Sequence, residues 1–575
     1  MQIGLVKEII ERFYYKKRFR LYFTALLSLF ASLFEYLGLF LIFQFILVLS
    51  TPENTYSEAV FSFFNKYFNI SDFSQVSLVL GVSIALIYIF KNIYMYIFTK
   101  INSTVLQDLS VNIALKIIKN ILCADFVKIN SIPNPHKQGI ITKTGIVVWG
   151  YFIQYINLLI NLAIITMLLV FLFVKFTLPA VISFCFIGVL SFVEYIILKH
   201  KSNYQNKYFS LHFDALTKVL YTIINASKEI RLNNKACEFL SLANEKYNNI
   251  AAMNKRACMN GVFHIYFTEI SIMVTFIVVL FVLFYTTDFN NKIVITTLGA
   301  IIAVILRITP AVNRTQSAIY GINSNEKIAR DVIEFDKQFK DIQEPYETSE
   351  ALPFENSIEL KNVSYSYPKA QTGLNNINLK IKKGEFIGVV GKSGCYKTTL
   401  SLIIAGLIKP NNGDILIDNA PLDLKKTSMW QNNISILSQD FSIIKDDIFD
   451  GLNDEIINKL ELSELNHNPL KLSFGQKQRA ALAQNIAADK KLLILDEATS
   501  SLDVLSEDKI NDILLELKGQ KTIISIAHRL QILKHCDRVI YMDNGKIIDI
   551  DTFSNLNDKY EEFRKIIELS NFQLR

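Results

Sequence analysis

A chain of 575 residues is too long for one hydrophobic core, so at least two domains are expected. Hydrophobic residues make up 51% of it and the mean hydropathy is +0.28, values that exclude an ordinary soluble protein because the excess sits before about residue 330. The formal charge of +7 at pH 7 does not call for a nucleic-acid partner, since the distribution of basic residues follows a membrane topology.

Six apolar runs come first: Leu21–Leu49, Val76–Phe98, Ile146–Val174, Leu178–Leu198, Val262–Tyr285 and Ile293–Ile308. Most reach the ~20 residues that cross ~30 Å of hydrocarbon. The sixth is short, but helix formers continue toward Phe335. Runs of this length without charge clusters argue against buried soluble helices, and the first is too long for the core of a cleaved signal. Lys7, Arg12, Lys16, Lys17, Arg18 and Arg20 precede the first run, whereas Ser50 to Gln75 carries only Lys66. Lys100–Lys143 and Lys199–Arg256 are lysine-rich, so both termini and these two long loops are placed in the cytoplasm. Their length predicts helical hairpins, with turns near Ile129–Gln138, where Pro133 and Pro135 break the helix, and near Phe209–Lys218. Glu35 falls near the middle of the first run and faces either a structural cation or cargo. Lys91, Glu194, Glu269 and Arg307 read as snorkelling or paired charges. The six cysteines show no paired spacing and are expected as free thiols; the seven histidines are scattered, and no metal cluster is expected from them.

Residues 1–330 are thus read as a membrane domain, and the polar, acidic stretch 331–356, with Pro345 and Pro353, as a linker. From residue 357 to 575, short β-branched runs alternate with helical segments: Ser357–Tyr365, Leu374–Ile381, Phe386–Val390, Asp414–Ile417, Ile434–Leu437, Leu492–Leu495, Thr522–Ile526, Arg538–Tyr541 and Lys546–Ile550. This pattern predicts an α/β domain with a mainly parallel sheet whose ligands sit at the carboxyl ends of strands. No peptidase-like segment precedes the first run, so removal of a peptide leader is not expected of this chain.

Chemistry accumulates at those strand ends. Gly391-Lys392-Ser393-Gly394-Cys395-Tyr396-Lys397-Thr398-Thr399 reads as a strand, a glycine-containing loop and a helix start. Backbone N–H groups of such a loop converge on an anion, Lys397 adds charge and Thr398 can hold Mg²⁺. Leu492–Glu497 is an apolar strand ending in two carboxylates; Asp496 suits Mg²⁺ and Glu497 can polarise a water. His528 follows another strand and can sense a γ-phosphate, Gln439 can reach metal and water, and Tyr367 offers a ring for adenine.

The order Tyr367, Gly391–Thr398, Gln439, Leu472-Ser473-Phe474-Gly475-Gln476, Leu492–Glu497, Ser501-Leu502-Asp503 and His528 resembles the ATPase domain of the ABC transporter superfamily. Six preceding spans with two cytoplasmic hairpins resemble its exporter half-transporters. Ser227–Leu232 and Leu306–Arg314 are similar to segments of bacterial lipid-linked oligosaccharide flippases and peptide exporters. The resemblance implies a six-helix α-helical transmembrane domain followed by an α/β P-loop ATPase domain. It implies adenine stacking by Tyr367, triphosphate binding by Gly391–Thr399, and Mg²⁺ held by Thr398, Gln439 and Asp496. Glu497 would be the general base and His528 the γ-phosphate switch, while Ser473, Gly475, Gln476 and Asp503 belong to the ATP site completed by a second subunit.

Two positions depart from the family pattern: Tyr396 stands where the loop carries glycine, and Phe474 where the signature does. The interval from Gln439 to Leu472 is also short. The expectation is an ATP-driven exporter or flippase of an amphipathic cargo, a homodimer or a dimer with a related half-transporter, among the lipids of a bacterial inner membrane. The competing reading is a membrane channel or receptor that binds ATP as a regulatory ligand without steady turnover.

Overall fold

The computed structural model describes residues 2–50, 72–175, 211–286, 291–339, 350–368, 372–439, 447–463, 467–496, 504–526 and 531–572, with a few isolated positions between them. The chain divides into two compact units, Met1–Leu122 with Ile132–Asp341, and Cys123–Ser131 with Ile342–Arg575.

The first unit is built of helices: α1 (Gln2–Phe13), α2 (Arg18–Ser50) and α3 (Phe73–Leu122) open it. After α4 (Phe126–Asn130), α5 (Asn134–Ile146), a π turn (Val147–Phe152), α6 (Ile153–Lys175), α7 (Ala236–Thr286) and α8 (Asn291–Gln338) complete it. Among the described residues, Ser74–Leu122, Asn134–Val170 and Ala236–Val278 are long and apolar enough to cross a membrane. Five of the six apolar runs fall on long helices, whereas most of Leu178–Leu198 lies outside the described residues. The 50 residues of α3, at ~1.5 Å each, extend about 75 Å, more than twice the hydrocarbon thickness, so the helix runs well beyond the membrane. Leu26, Leu29, Phe30, Leu33 and Leu37 stay exposed along α2, a surface suited to lipid rather than water.

The first turn opens earlier than the sequence expectation, at Cys123, and closes within the expected window at Pro133, whereas the second lies beyond its window. Pro133 caps α5 and Pro135 occupies its first turn, where a missing N–H leaves no bond unmade. Residues 211–225 are helical, so the second turn lies at 226–235, where Ser227–Leu232 forms a short helix and Asn234 is left-handed at φ 55°; Phe209 is outside the described residues. Glu35 lies on α2.

Packing inside this unit is set by a few polar contacts. Asn325 Nδ2 donates to the Gly150 carbonyl of the π turn (3.0 Å) and to Gly321 O (2.9 Å), where a Cβ at either glycine would crowd a facing amide side chain. α8 continues to Gln338, past residue 331 where the sequence places the start of the linker. Its Asp336, 2% exposed, accepts from Arg12 Nη1 (2.9 Å) and Asn120 Nδ2 (2.8 Å) and lies 3.2 Å from Lys116 Nζ. One buried carboxylate thereby joins α1, α3 and α8.

Among the described residues, all the strands lie in the second unit. Nine strands appear where the sequence predicts them: β1 (Ser357–Tyr365), β2 (Leu374–Lys382), β3 (Phe386–Gly391), β4 (Asn412–Ile417), β6 (Ile434–Leu437), β7 (Leu492–Asp496), β8 (Thr522–Ile526), β9 (Arg538–Asp543) and β10 (Lys546–Asp551), with a two-residue β5 (Ala420–Pro421) between β4 and β6. They form two sheets rather than one. A six-stranded sheet, order β10-β9-β3-β8-β7-β6, is parallel from β9 to β6, and a four-stranded antiparallel sheet has order β2-β1-β4-β5. Helices α9 (Lys397–Ile404), α10 (Leu424–Gln431), α11 (Phe474–Ala487) and α12 (Val504–Leu517) lie between strands in sequence. Trp430 is fully buried, donates from Nε1 to Ile404 O (2.9 Å) and packs edge-on against Phe354. Phe126 and Val127 of α4, whose cap Asp125 accepts from Lys128 N–H, pack on the core of this unit.

Removing the Asp336 carboxylate leaves Arg12 and Lys116 without their shared counter-ion. Asp336→Ala is expected to destabilise the helical unit by about 3 kcal/mol, the low end for one partner of a buried pair, because both cations keep part of their water. Thermal melting of both proteins in one detergent checks this; an unchanged midpoint would make the cluster incidental.

Candidate nucleotide-binding site

β3 is buried along its length and delivers the chain to Gly391, where a Cβ would stand 2.2 Å from Met542 O and 2.6 Å from Cys395 Sγ. Only glycine fits that approach to β9. The loop then turns through Gly394 at φ 80° and Tyr396 at φ 72°, ψ 27°, and α9 starts at Lys397. The first N–H groups of α9 therefore face the loop, an arrangement that favours an anion. Lys397, 8% exposed, bends back to donate from Nζ to Gly391 O (2.8 Å) and Lys392 O (3.2 Å). Lys392 faces outward and pairs with Glu562 at 3.4 Å, and Ser393 is exposed. Burial pushes the Cys395 thiol up, so it stays protonated at neutral pH and is no nucleophile.

Two side-chain bonds tie this loop to the segment that follows β1. The Tyr367 hydroxyl lies 3.3 Å from Thr399 Oγ1, and the Tyr396 hydroxyl lies 2.6 Å from Thr372 Oγ1. Tyr367 also packs edge-on against Tyr365, which holds its ring at one angle. Thr372 was not singled out by any motif; its only signal in the sequence is a hydroxyl in the loop after Tyr367.

The parallel order β3-β8-β7-β6 places four strand ends along one edge of the sheet. Asp496, 4% exposed, ends β7 beside Ile526 of β8, and Gln439 stands exposed two residues beyond β6. Thr398 is exposed in the first turn of α9. Oxygen donors on this edge, one of them a buried carboxylate, suit a hard divalent cation. Glu497, Asp503 and His528 lie outside the described residues.

Ser473 caps α11: its Oγ accepts from Gln476 N–H (3.3 Å) while Gln476 Oε1 accepts from Ser473 N–H (2.9 Å). The Gln476 side chain is thus committed to its own helix, and Gly475 lies in that helix's first turn. Phe474 is 59% exposed and packs against Phe441 with ring centres 5.5 Å apart. Among the described residues no hydrogen bond or ring contact joins this helix start to the loop 391–399 of the same chain, so the structure does not bring together these two predicted parts of the site.

Residues 374–500 match the family model for ABC transporters. The chain is 36% identical over 231 residues to the leukotoxin translocation ATP-binding protein LktB of Mannheimia glucosida, covering 36% of this chain and 33% of that one. It is 36% identical over 231 residues to the alpha-hemolysin translocation ATP-binding protein HlyB of Escherichia coli, again covering 36% and 33%. The beta-(1→2)glucan export ATP-binding/permease protein NdvA of Agrobacterium vitis is 27% identical over 254 residues, covering 40% and 44%. These matches span a third to under half of the relatives' lengths. A solved bacterial Atm1-family ABC exporter with ATP bound superposes with a TM-score of 0.72 at 16% identity, covering 96% of this chain and 97% of that one. The chain carries an ABC transporter ATP-binding domain, preceded in sequence by membrane helices and set in the fold of an ABC exporter.

Proposed function

We propose that this chain is half of an ATP-driven exporter or flippase, working as a dimer in a bacterial inner membrane with its ATPase domain in the cytoplasm, and moving an amphipathic cargo by alternating access. The observation that carries this reading is the loop Gly391–Thr399 at the end of β3, on the sheet edge that also bears Asp496, with Tyr367 bonded to its helix. The names of the relatives, for toxin translocation and glucan export, support export as the direction.

In this reading Tyr367 stacks on adenine while the loop N–H groups and Lys397 hold the phosphates, which requires the Lys397 ammonium to leave Gly391 O and Lys392 O for the phosphate oxygens. Thr398, Gln439 and Asp496 would hold Mg²⁺, which neutralises charge on the phosphates. Glu497 takes the proton of the attacking water, and His528 contacts the γ-phosphate. Ser473 and Gly475, which make no hydrogen bond to their own loop among the described residues, would close the site of a second subunit, with Asp503 as a further member of the ATP site.

Two experiments bear on this. The purified full chain should hydrolyse ATP steadily, and Glu497→Gln should keep ATP binding while losing turnover by about a hundredfold or more, the scale of general-base catalysis. ATP binding with no turnover in the wild type would favour the regulatory reading, and undiminished turnover in Glu497→Gln would remove that residue from the role.

The second concerns Tyr396. A left-handed backbone costs a non-glycine residue about 1–2 kcal/mol, and a hydroxyl bond such as that to Thr372 returns about 0.5–1.5 kcal/mol. The bond therefore holds the loop in a conformation that tyrosine alone disfavours. Thr372→Val should weaken ATP binding by about two- to tenfold, Tyr396→Gly should bind ATP at least as tightly as the wild type, and Thr372→Val should have no effect once Tyr396 is glycine. Nucleotide titrations of the four proteins decide it; equal losses in both backgrounds would break the link between the two residues.

A further inference from the structure

A second site lies in the helical unit, in a groove of about 500 Å³ between α2 and α3. That volume is within the ~300–1,000 Å³ of ordinary small-ligand pockets. Phe19, Phe23, Ile101 and Val105 line it, and Arg20 and Lys100 contribute its cations. Thr24 and Thr104 complete the lining, but each hydroxyl donates to its own helix, to Leu21 O and Lys100 O at 2.9 Å. The interior offers an occupant mainly hydrocarbon contact.

The depth of the groove follows from the register of the two helices. Tyr94 Oη donates to Leu27 O at 2.6 Å, and Leu27 lies seven residues after Arg20 while Tyr94 lies seven before Ile101, so antiparallel packing brings Arg20 level with Ile101 and Lys100. Arg20 immediately precedes the apolar run from Leu21, and Lys100 follows the run that ends at Phe98. Both cations mark the same boundary of the hydrocarbon. Tyr15, Tyr22 and Tyr96 are 58%, 59% and 74% exposed near this level, as aromatic side chains at a membrane–water interface are.

The charge there is unbalanced. Asp108 faces both Arg20 (3.1 Å) and Lys17 (3.6 Å), Lys16 and Arg18 lie beside them in sequence, and among the described residues Lys100 makes no ion pair. An occupant that satisfies these features has a long apolar part and a net anionic head. A free phosphate lacks the first and a zwitterionic lipid the second.

We propose that the α2–α3 groove binds an anionic phospholipid from the leaflet at the basic ends of these helices, its acyl chain against Phe19, Phe23, Ile101 and Val105 and its phosphate at Arg20 and Lys100. The site is independent of the nucleotide reading and belongs to the helical unit alone.

Native mass spectrometry of the full chain in detergent, titrated with phosphatidylglycerol or phosphatidylcholine of identical acyl chains, tests this. The wild type is expected to retain phosphatidylglycerol in preference. Lys100→Gln, which breaks no ion pair, should lower that affinity roughly fivefold, the weight of one cation near a charged headgroup, and leave phosphatidylcholine unaffected. Thr104→Trp, which fills the groove, should remove the tightest-bound lipid without lowering the melting midpoint. Equal affinities for the two lipids in the wild type, an unchanged preference in Lys100→Gln, or retention of phosphatidylglycerol by a folded Thr104→Trp would each overturn the assignment. Retention of a co-purified mass that matches no membrane phospholipid would overturn it in favour of cargo.

Discussion

The constraint on which the candidate nucleotide site depends is the parallel alignment of β3, β8, β7 and β6. Strands that run in one direction end at one edge, so groups far apart in sequence, the loop after Gly391, Asp496 and Gln439, are delivered to the same rim without any of them choosing the other. Burial on both faces makes this alignment rigid: every residue of β7 and β8 is buried. The site is therefore precise at its strand-borne members, and any adjustment on binding falls to side chains such as Lys397, which satisfies its ammonium on the loop's own carbonyls.

Much of this was legible because the strands that carry chemistry are the most uniformly apolar segments after residue 330. Phe386–Val390 and Leu492–Leu495 have no polar residue to blur their ends, and each end is marked by a residue that a buried strand would not otherwise hold. The second sheet was also written in the sequence, though less plainly. Leu374–Lys382 alternates buried and exposed residues, the mark of an antiparallel strand with one wet face, while β3 does not alternate. Reading both as one alternation of strand and helix merges two sheets into one.

The hairpin turns depart from their expected places for a different reason. Proline stops a helix only in its interior; at the first turn it removes a donor that has no partner anyway, so Pro133 and Pro135 open α5 instead of closing the helix before them. The residue that the linker reading hid is Asp336. In a polar, acidic stretch it looks like one solvated carboxylate among several, and nothing in its neighbours announces that Arg12 and Asn120, more than 200 positions away, meet it in the core. Basic residues counted for topology thus have particular partners as well: Arg12 holds Asp336 and Arg20 holds Asp108, while Lys100 makes no such pair among the described residues.

Three positions of the loop Gly391–Thr399 separate by the physics that each one answers to. At Gly391 the restriction is steric, since any Cβ would overlap the backbone of β9, and no side chain is tolerable. At Gly394 nothing lies within 4 Å of an added Cβ, and the restriction is the left-handed dihedral alone. Position 396 has the same dihedral character, with φ 72°, yet holds a tyrosine whose ring packs on the core and whose hydroxyl meets Thr372. A dihedral restriction is finite, about 1–2 kcal/mol, whereas a backbone overlap of this kind has no local remedy. A pattern that requires glycine at both 391 and 396 treats unlike restrictions as equal, and so rejects a loop in which only the finite one is violated.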